Sequence, residues 1–219
     1  PKTGGRNSHR EGPPMTMPSA QPVNHHADNR RFGGFTGLVA GLAMLVTGPG
    51  TARLAVEMSS MSGADLVVDI GCGPGSAVRE AARMGTRVTG LDPAPVMLRL
   101  ARTLTRDRPE ISWALGAAED LRLATGAATV VWSLASVHHW TDVGAGLAEV
   151  HRVLCPGGRF LTVERRVRPG ARGLASHGWT DAQTESFATQ CGAAGFADVR
   201  IRTLRRGRRT VKVVTAVRP

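Results

Sequence analysis

The chain has 219 residues, 42% of them hydrophobic, enough to bury one substantial core and too few for a second autonomous domain. Its formal net charge of +11 is almost all arginine, with lysine only at Lys2 and Lys212, a skew of genome composition that does not by itself single out a nucleic-acid partner. Three scattered cysteines, Cys72, Cys155 and Cys191, exclude a disulfide framework and a clustered thiolate metal site, and they fit a reduced, cytoplasmic setting.

In chain order, residues 1–28 are polar, proline-rich and aperiodic, and read as a flexible arm in which His25 and His26 are a solvated pair; Met15 and Met17 are candidate starts. Residues 29–63 follow with an apolar run, Leu38 to Val46, that falls far short of the ~20 residues of a membrane helix and has no signal-cleavage site after it. No membrane association is expected. A glycine-rich amphipathic helix and a second helix, Thr51 to Met61, are expected instead.

The most informative stretch is VVDIGCGPG, Val67 to Gly75. An apolar β-branched run ends near Asp69 and breaks into Gly71, Gly73 and Gly75, the pattern of a parallel strand handing over to a helix with its backbone bared. A dinucleotide fingerprint would need Gly or Ala at position 76, which is Ser76, so the spacing is G-x-G-x-G. A second strand, Arg87 to Leu91, ends on Asp92, placed where a carboxylate can accept from both hydroxyls of a ribose. Asp92 also suits a cap before Pro93 at the first position of a helix from Ala94 to Leu104.

A fourth strand from Thr129 to Ser133 or Leu134 delivers SLASVHHWTD, Ser133 to Asp142, at the same sheet edge. Histidine is the side chain most ready to take a proton near neutrality, and His139 ranks ahead of His138 as a base. Thr141 and Asp142 precede an apolar-periodic helix, Val143 to Leu154, so Asp142 is foremost a cap. Glu164 ends the fifth strand and adds a second carboxylate. His138, His139, Asp142 and Glu164 are the residues to test for a divalent cation such as magnesium, which the sequence permits without requiring. The chain closes on a strand pair, Gly195 to Leu204 and Arg209 to Val217, crowded with arginine and free of aromatics from Ala197 to Pro219, read as a solvated face or a contact for anions or a second subunit in a homodimer.

The glycine loop with Asp69 resembles motif I of the class I S-adenosylmethionine-dependent methyltransferases. ISWALGAAEDL, Ile111 to Leu121, resembles the G-D-A-E-D-L-P segment of the quinone-methylating and related small-molecule branch, with Ala117 where that branch has Asp, and VHRVLCPGGRF resembles its R-V-L-x-P-G-G segment. The resemblance covers about residue 64 to the end. It implies a doubly wound, mostly parallel seven-stranded α/β sheet with a terminal antiparallel strand in a methyltransferase domain at 64–219, and helices at 29–63 acting as a lid. It implies S-adenosylmethionine as cofactor, bound by Asp69, Gly71, Cys72, Gly73, Gly75, Asp92, Pro93 and Met97, by Ala118 and Glu119 at the adenine edge, by Ser133, and by Arg31 at the methionine carboxylate. His139, His138 and Glu164 are then the catalytic candidates. The expected reaction is O-methylation of a small molecule, with Trp140 offering a flat face to a sugar ring or an aromatic acceptor and a saccharide-like acceptor slightly favoured. The alternatives are a quinone C-methyltransferase and an RNA methyltransferase using the arginine hairpin, nucleic acid being disfavoured because stacking aromatics are missing there.

Overall fold

The β-branched runs of the sequence become the inner strands of one sheet. The computed structural model describes residues 22–27, 39, 41–45, 48–207 and 209–219. Its strands are β1 Leu66–Ile70, β2 Arg87–Asp92, β3 Ile111–Leu115, β4 Ala128–Leu134, β5 Leu154–Arg165, β6 Ala197–Arg206 and β7 Arg209–Val217. The helices are α1 Pro49–Ser59, α2 Ser76–Ala82, α3 Pro95–Thr103, α4 Val143–Val153 and α5 Asp181–Ala193. The strand order is β3-β2-β1-β4-β5-β7-β6, parallel except for β7, which runs antiparallel to both neighbours. This is the expected Rossmann-like α/β sheet with an antiparallel strand near one edge.

Adjacent residues on a strand point to opposite faces, and both faces here are covered, so the inner strands are apolar throughout. Val68, Val131, Phe160 and Val214 pack on one side with Leu147 and Val150 of α4 and Phe187 of α5. Their neighbours Val67, Val130, Leu161 and Val213 pack on the other with Leu54 of α1, Val78 of α2 and Leu98 of α3. The order reverses between β1 and β4, because β1 turns through α2 to β2 on one side while β4 lies on the other. Open α/β sheets hold their ligands at such a switch point, beyond the carboxyl ends of the strands.

Local signals fix the helix ends. Asp142 caps α4 through Oδ1, which accepts from the Ala145 amide at 3.0 Å. Thr180 and Gln183 make a capping box at α5. One expected boundary moves: α3 begins with Pro95 at its first position, not Pro93, and Asp92 reaches it through Oδ1, which accepts from the Ala94 amide at 2.8 Å. Proline's fixed φ fits either site, and the Asp92–Ala94 turn decides between them.

The flexible arm expected through residue 28 is docked over residues 22–27. Val23 is buried against the core, its carbonyl accepts from the Trp179 indole at 3.0 Å, and the Asn24 side chain donates to the carbonyls of Trp140 and Thr141. His25 and His26 are therefore not solvated as a free pair; they lie against His138 and His177. One buried valine and a ring of main-chain acceptors supply what the polar composition hid. Residues 41–45 are helical and pack over the glycine loop and α3, whereas Arg30 and Arg31 lie outside the described residues. Among the described residues no helix is long and apolar enough to cross a membrane.

Gly75 is the N-cap of α2 in a left-handed conformation (φ +79°), and a Cβ there would run into the Trp113 ring of β3. Both strain and overpacking oppose a side chain. Gly75→Ala is expected to lower unfolding stability by about 2–4 kcal/mol, and roughly half of that loss should vanish in a Trp113→Ala background. Chemical denaturation of the four proteins of that cycle checks it; an unchanged midpoint for Gly75→Ala would contradict the packing described.

Candidate functional site

The β1–α2 loop folds back on β2. The amides of Gly71 and Cys72 both donate to the Leu91 carbonyl, at 2.8 and 2.9 Å, and the Gly73 amide donates to Asp92 Oδ2 at 2.8 Å. Asp92 thus bridges the two loops with one oxygen each while keeping lone pairs for a ligand's hydroxyls. Above this floor a cavity of about 660 Å³ opens at the carboxyl ends of the strands. Asp69, Gly71, Cys72 and Gly73 line it from the first loop, Asp92, Pro93 and Met97 from the second, and Ala117, Ala118 and Glu119 from the third. Met44, Gly48, Thr51 and Ala52 close it from the N-terminal side.

Asp69 carries the most tension. It is 2% exposed, Oδ1 has no hydrogen-bond partner, and burial, reinforced by the nearby Asp92 charge, pushes its carboxyl up to about 8. Burial likewise raises Asp92, against which the Ala94 and Gly73 amides pull down. The Cys72 thiol, buried beside both acids, is held well above its ordinary value and is a wall, not a nucleophile.

The far end of the cavity is different in character. Leu134, Val163, Leu174 and Val211 give it apolar walls, and His138, His139 and His177 stand together there. His138 is 2% exposed. Its Nδ1 lies 2.9 Å from Glu164 Oε2, and since a carboxylate oxygen accepts, Nδ1 carries the hydrogen, which in the neutral ring leaves Nε2 with the lone pair. That Nε2 is buried without a partner, as is Glu164 Oε1. His139 Nδ1 donates to the His26 carbonyl at 3.3 Å. Burial, with the His138 ring beside it, pushes the His139 imidazole down to about 3, and the same causes take His177 to about 4. A group that releases its proton that readily is a weak base, and of the two histidines only His138 has a carboxylate hydrogen-bonded to its ring.

Several expected site residues stand elsewhere. Gly75 does not line the cavity; it serves α2 and Trp113. Ser133 is fully buried below it and hydrogen-bonds Ser136 at 2.7 Å, and Ser136, which also donates to the Ile70 carbonyl, is the serine on the wall. Glu119 lines the cavity, but its Oε1 is engaged by the amides of Thr141 and Asp142. Glu164 touches the cavity only through His138. Asp142 is spent on its cap, so the four-residue magnesium set does not assemble; three imidazoles do. Trp140 lines the cavity but is 5% exposed and packed against α4, because Gly146 leaves room for its ring. His177, Ser136 and Met44 carry no motif, and only the folded chain brings them in.

Linkage gives Asp69 a stability signature. Its proton is held more tightly folded than unfolded, so the folded state loses stability as pH rises from the ordinary carboxylate value of ~3.9 toward about 8. Asp69→Asn removes that cost. Its melting temperature should exceed wild type by ~2–8 °C at pH 8, with a smaller gain at pH 5. Thermal melts at the two pH values check this, and a variant less stable at both would contradict the assignment of Asp69 as a strained, unpaired acid.

Known proteins resemble this chain in sequence and in fold. Residues 68–162 match a methyltransferase-domain family. The chain is 32% identical over 112 residues to the ubiquinone/menaquinone biosynthesis C-methyltransferase of Rubrivivax gelatinosus, 51% of this chain and 44% of that protein. It is 31% identical over 149 residues to a ubiquinone biosynthesis O-methyltransferase of Azorhizobium caulinodans, 59% and 58% of the two chains. The chain thus spans about half the length of these curated relatives. A putative methyltransferase solved in complex with the Trm112 activator of Haloferax volcanii shares the fold, with a TM-score of 0.69 at 22% identity over 90% of this chain and 97% of that one. A glycine loop between two buried acids at the switch point of this sheet, and relatives of this kind, make the chain similar to the class I S-adenosylmethionine-dependent methyltransferases, and in particular to their small-molecule quinone and O-methyltransferase branch.

Proposed function

We propose that this chain methylates a hydroxylated aromatic ring of quinol type. The observation that carries the reading is the His138–Glu164 pair set in the apolar wall of the same cavity whose other end holds Asp69 and Asp92. S-adenosylmethionine supplies an activated methyl group. Its amino-acid end suits the first loop: the unpartnered Asp69 Oδ1 calls for a cationic partner, and at Gly73 only the Met44 sulfur, at 3.5 Å, would meet a Cβ. Asp92 suits the ribose hydroxyls, and Ala118 the adenine edge.

The acceptor then faces Leu134, Val163, Leu174 and Val211, which suit a flat apolar ring better than a sugar. Trp140 lines the same cavity with little of its ring exposed, so it does not by itself favour a saccharide. The relatives named for ubiquinone and menaquinone biosynthesis support the ring reading. In the proposed step His138 Nε2 accepts the proton of a ring hydroxyl while Glu164, hydrogen-bonded to Nδ1, holds the tautomer and stabilises the imidazolium that forms. The electron density released can be used at the oxygen or at the ring carbon beside it, so one constellation serves O- and C-methylation alike.

Labelled methyl transfer by chelator-treated protein to a panel of hydroxylated aromatics and saccharides tests this. The aromatic acceptors should be labelled; His138→Ala should lose ~100-fold or more in turnover and Glu164→Gln about 10-fold, both binding adenosylhomocysteine as wild type. Labelling of saccharides alone, or a larger loss in His139→Ala than in His138→Ala, would overturn it.

A further inference from the structure

The histidines at the far end of the cavity form a denser group than a proton transfer needs. Around His138, with ring centroids 4.2 to 6.0 Å away, lie His139, His177, His26 and His25, drawn from three separate segments of the chain. Not all of them are alike. His25 uses both ring nitrogens, Nε2 on the Ser176 carbonyl and Nδ1 on the Gln183 amide, and His26 spends Nε2 on the Ser176 hydroxyl. These two buttress the group. His138, His139 and His177 each offer a ligand atom, and the three atoms lie within 4.8 Å of one another.

We propose that His138, His139 and His177 bind a transition-metal ion of the zinc class, with Glu164 as the carboxylate that orients His138 behind the ion. Two independent observations carry it. The first is the convergence of three imidazoles from two segments, one of them pinned in place: the Trp179 amide donates to the Arg165 carbonyl at 2.8 Å and Arg165 Nε donates to the His177 carbonyl at 2.9 Å, so the turn bearing His177 is fastened to β5. The second is His138 Nε2, an unpartnered nitrogen on a side chain 98% inaccessible, with its opposite nitrogen already donating to a buried carboxylate. A carboxylate–histidine–metal relay has this form, and the ion would supply the positive charge that fully buried Glu164 does not receive from a neutral His138.

Zinc–imidazole bonds of ~2.0–2.1 Å at tetrahedral angles put the nitrogens about 3.3–3.4 Å apart, so the three would draw together from that spacing when an ion binds. Three protein ligands leave a fourth position open toward the cavity, as in catalytic rather than structural zinc sites. Imidazole sets favour zinc, cobalt, nickel and copper over magnesium, which prefers oxygen. An ion there takes the Nε2 lone pair that the proposed base uses, so metal-bound and base states exclude each other. The site stands on binding alone and does not rest on the acceptor reading.

The test is direct titration of the full chain, without a histidine tag, stripped with chelator and dialysed. Cobalt(II) should give visible d–d absorption that saturates at one ion per chain; zinc should displace it and millimolar magnesium should not. His139→Ala and His177→Ala should each weaken binding at least ~10-fold, Glu164→Gln about 10–100-fold, and His151→Ala, whose ring packs on Phe196, should leave it unchanged. Adenosylhomocysteine calorimetry on the same variants shows that they are folded and keeps a failure here separate from a failure of the cofactor assignment. No saturable cobalt signal up to ~1 mM, or equal affinity in wild type and the His139→Ala/His177→Ala double variant, would overturn the proposal.

Discussion

Asp69 holds a carboxylate oxygen without a hydrogen-bond partner a short loop away from a second buried carboxylate, Asp92. Neither arrangement is favourable in an empty protein, since burial and like charge both oppose ionisation. The cost is localised. Asp92 is stabilised by two backbone amides, whereas Asp69 is left to a ligand. The surrounding fold keeps that imbalance from relaxing: the β1–α2 loop is bound at Leu91 and Asp92, Gly75 wedges α2 against Trp113, and Ser136 closes the side toward β4. A rigid frame around an unsatisfied acid is how binding energy for a cation is stored in advance.

The two ends of the cavity divide the work by their chemistry. Near β1 and β2 the walls are backbone and carboxylate, suited to a charged, hydroxyl-rich molecule; near β4, β5 and β7 they are aliphatic with histidine and are edged by Arg165 and Arg209, suited to an apolar ring with one ionisable group. His138 belongs to the second end and is the hinge of both proposals made for it. Its Glu164 hydrogen bond fixes which nitrogen faces the cavity, whether that nitrogen receives a proton or a metal ion.

Local patterns made much of this legible. The glycine spacing, Asp92 at a strand tip, the histidine pair after β4 and the Asp142 cap all lie within a few residues of the signal that reveals them, and the inner strands read as nearly continuous apolar runs, as two-sided burial requires. What stayed hidden depends on contacts across the chain. His177 reaches the site through a turn fastened to Arg165; His25 and His26 arrive because Val23 finds a slot beside Trp179; Trp140 is core because Gly146 makes space for it. Gly75 and Ser133 share the motif's composition but face Trp113 and Ser136, and Pro93 yields the helix start to Pro95 because a turn two residues long decides it. No periodicity reports such pairings, since each joins residues whose separation in sequence carries no information about their distance.

The account depends most on Asp69 meeting a cation when the cofactor binds, and a proton inventory of that event tests it most directly. Empty, Asp69 keeps its proton below about pH 8; paired with an ammonium, it gives the proton up. Calorimetric binding of adenosylhomocysteine near pH 6.5, in buffers of different ionisation enthalpy, should therefore report release of close to one proton. Affinity should fall up to ~10-fold per unit as pH drops from 7, a window in which the ligand's own amine, near ~8, stays charged. Both effects should disappear in Asp69→Asn along with most of the affinity. Binding with no proton release and a flat pH profile in the wild-type protein would contradict the central claim.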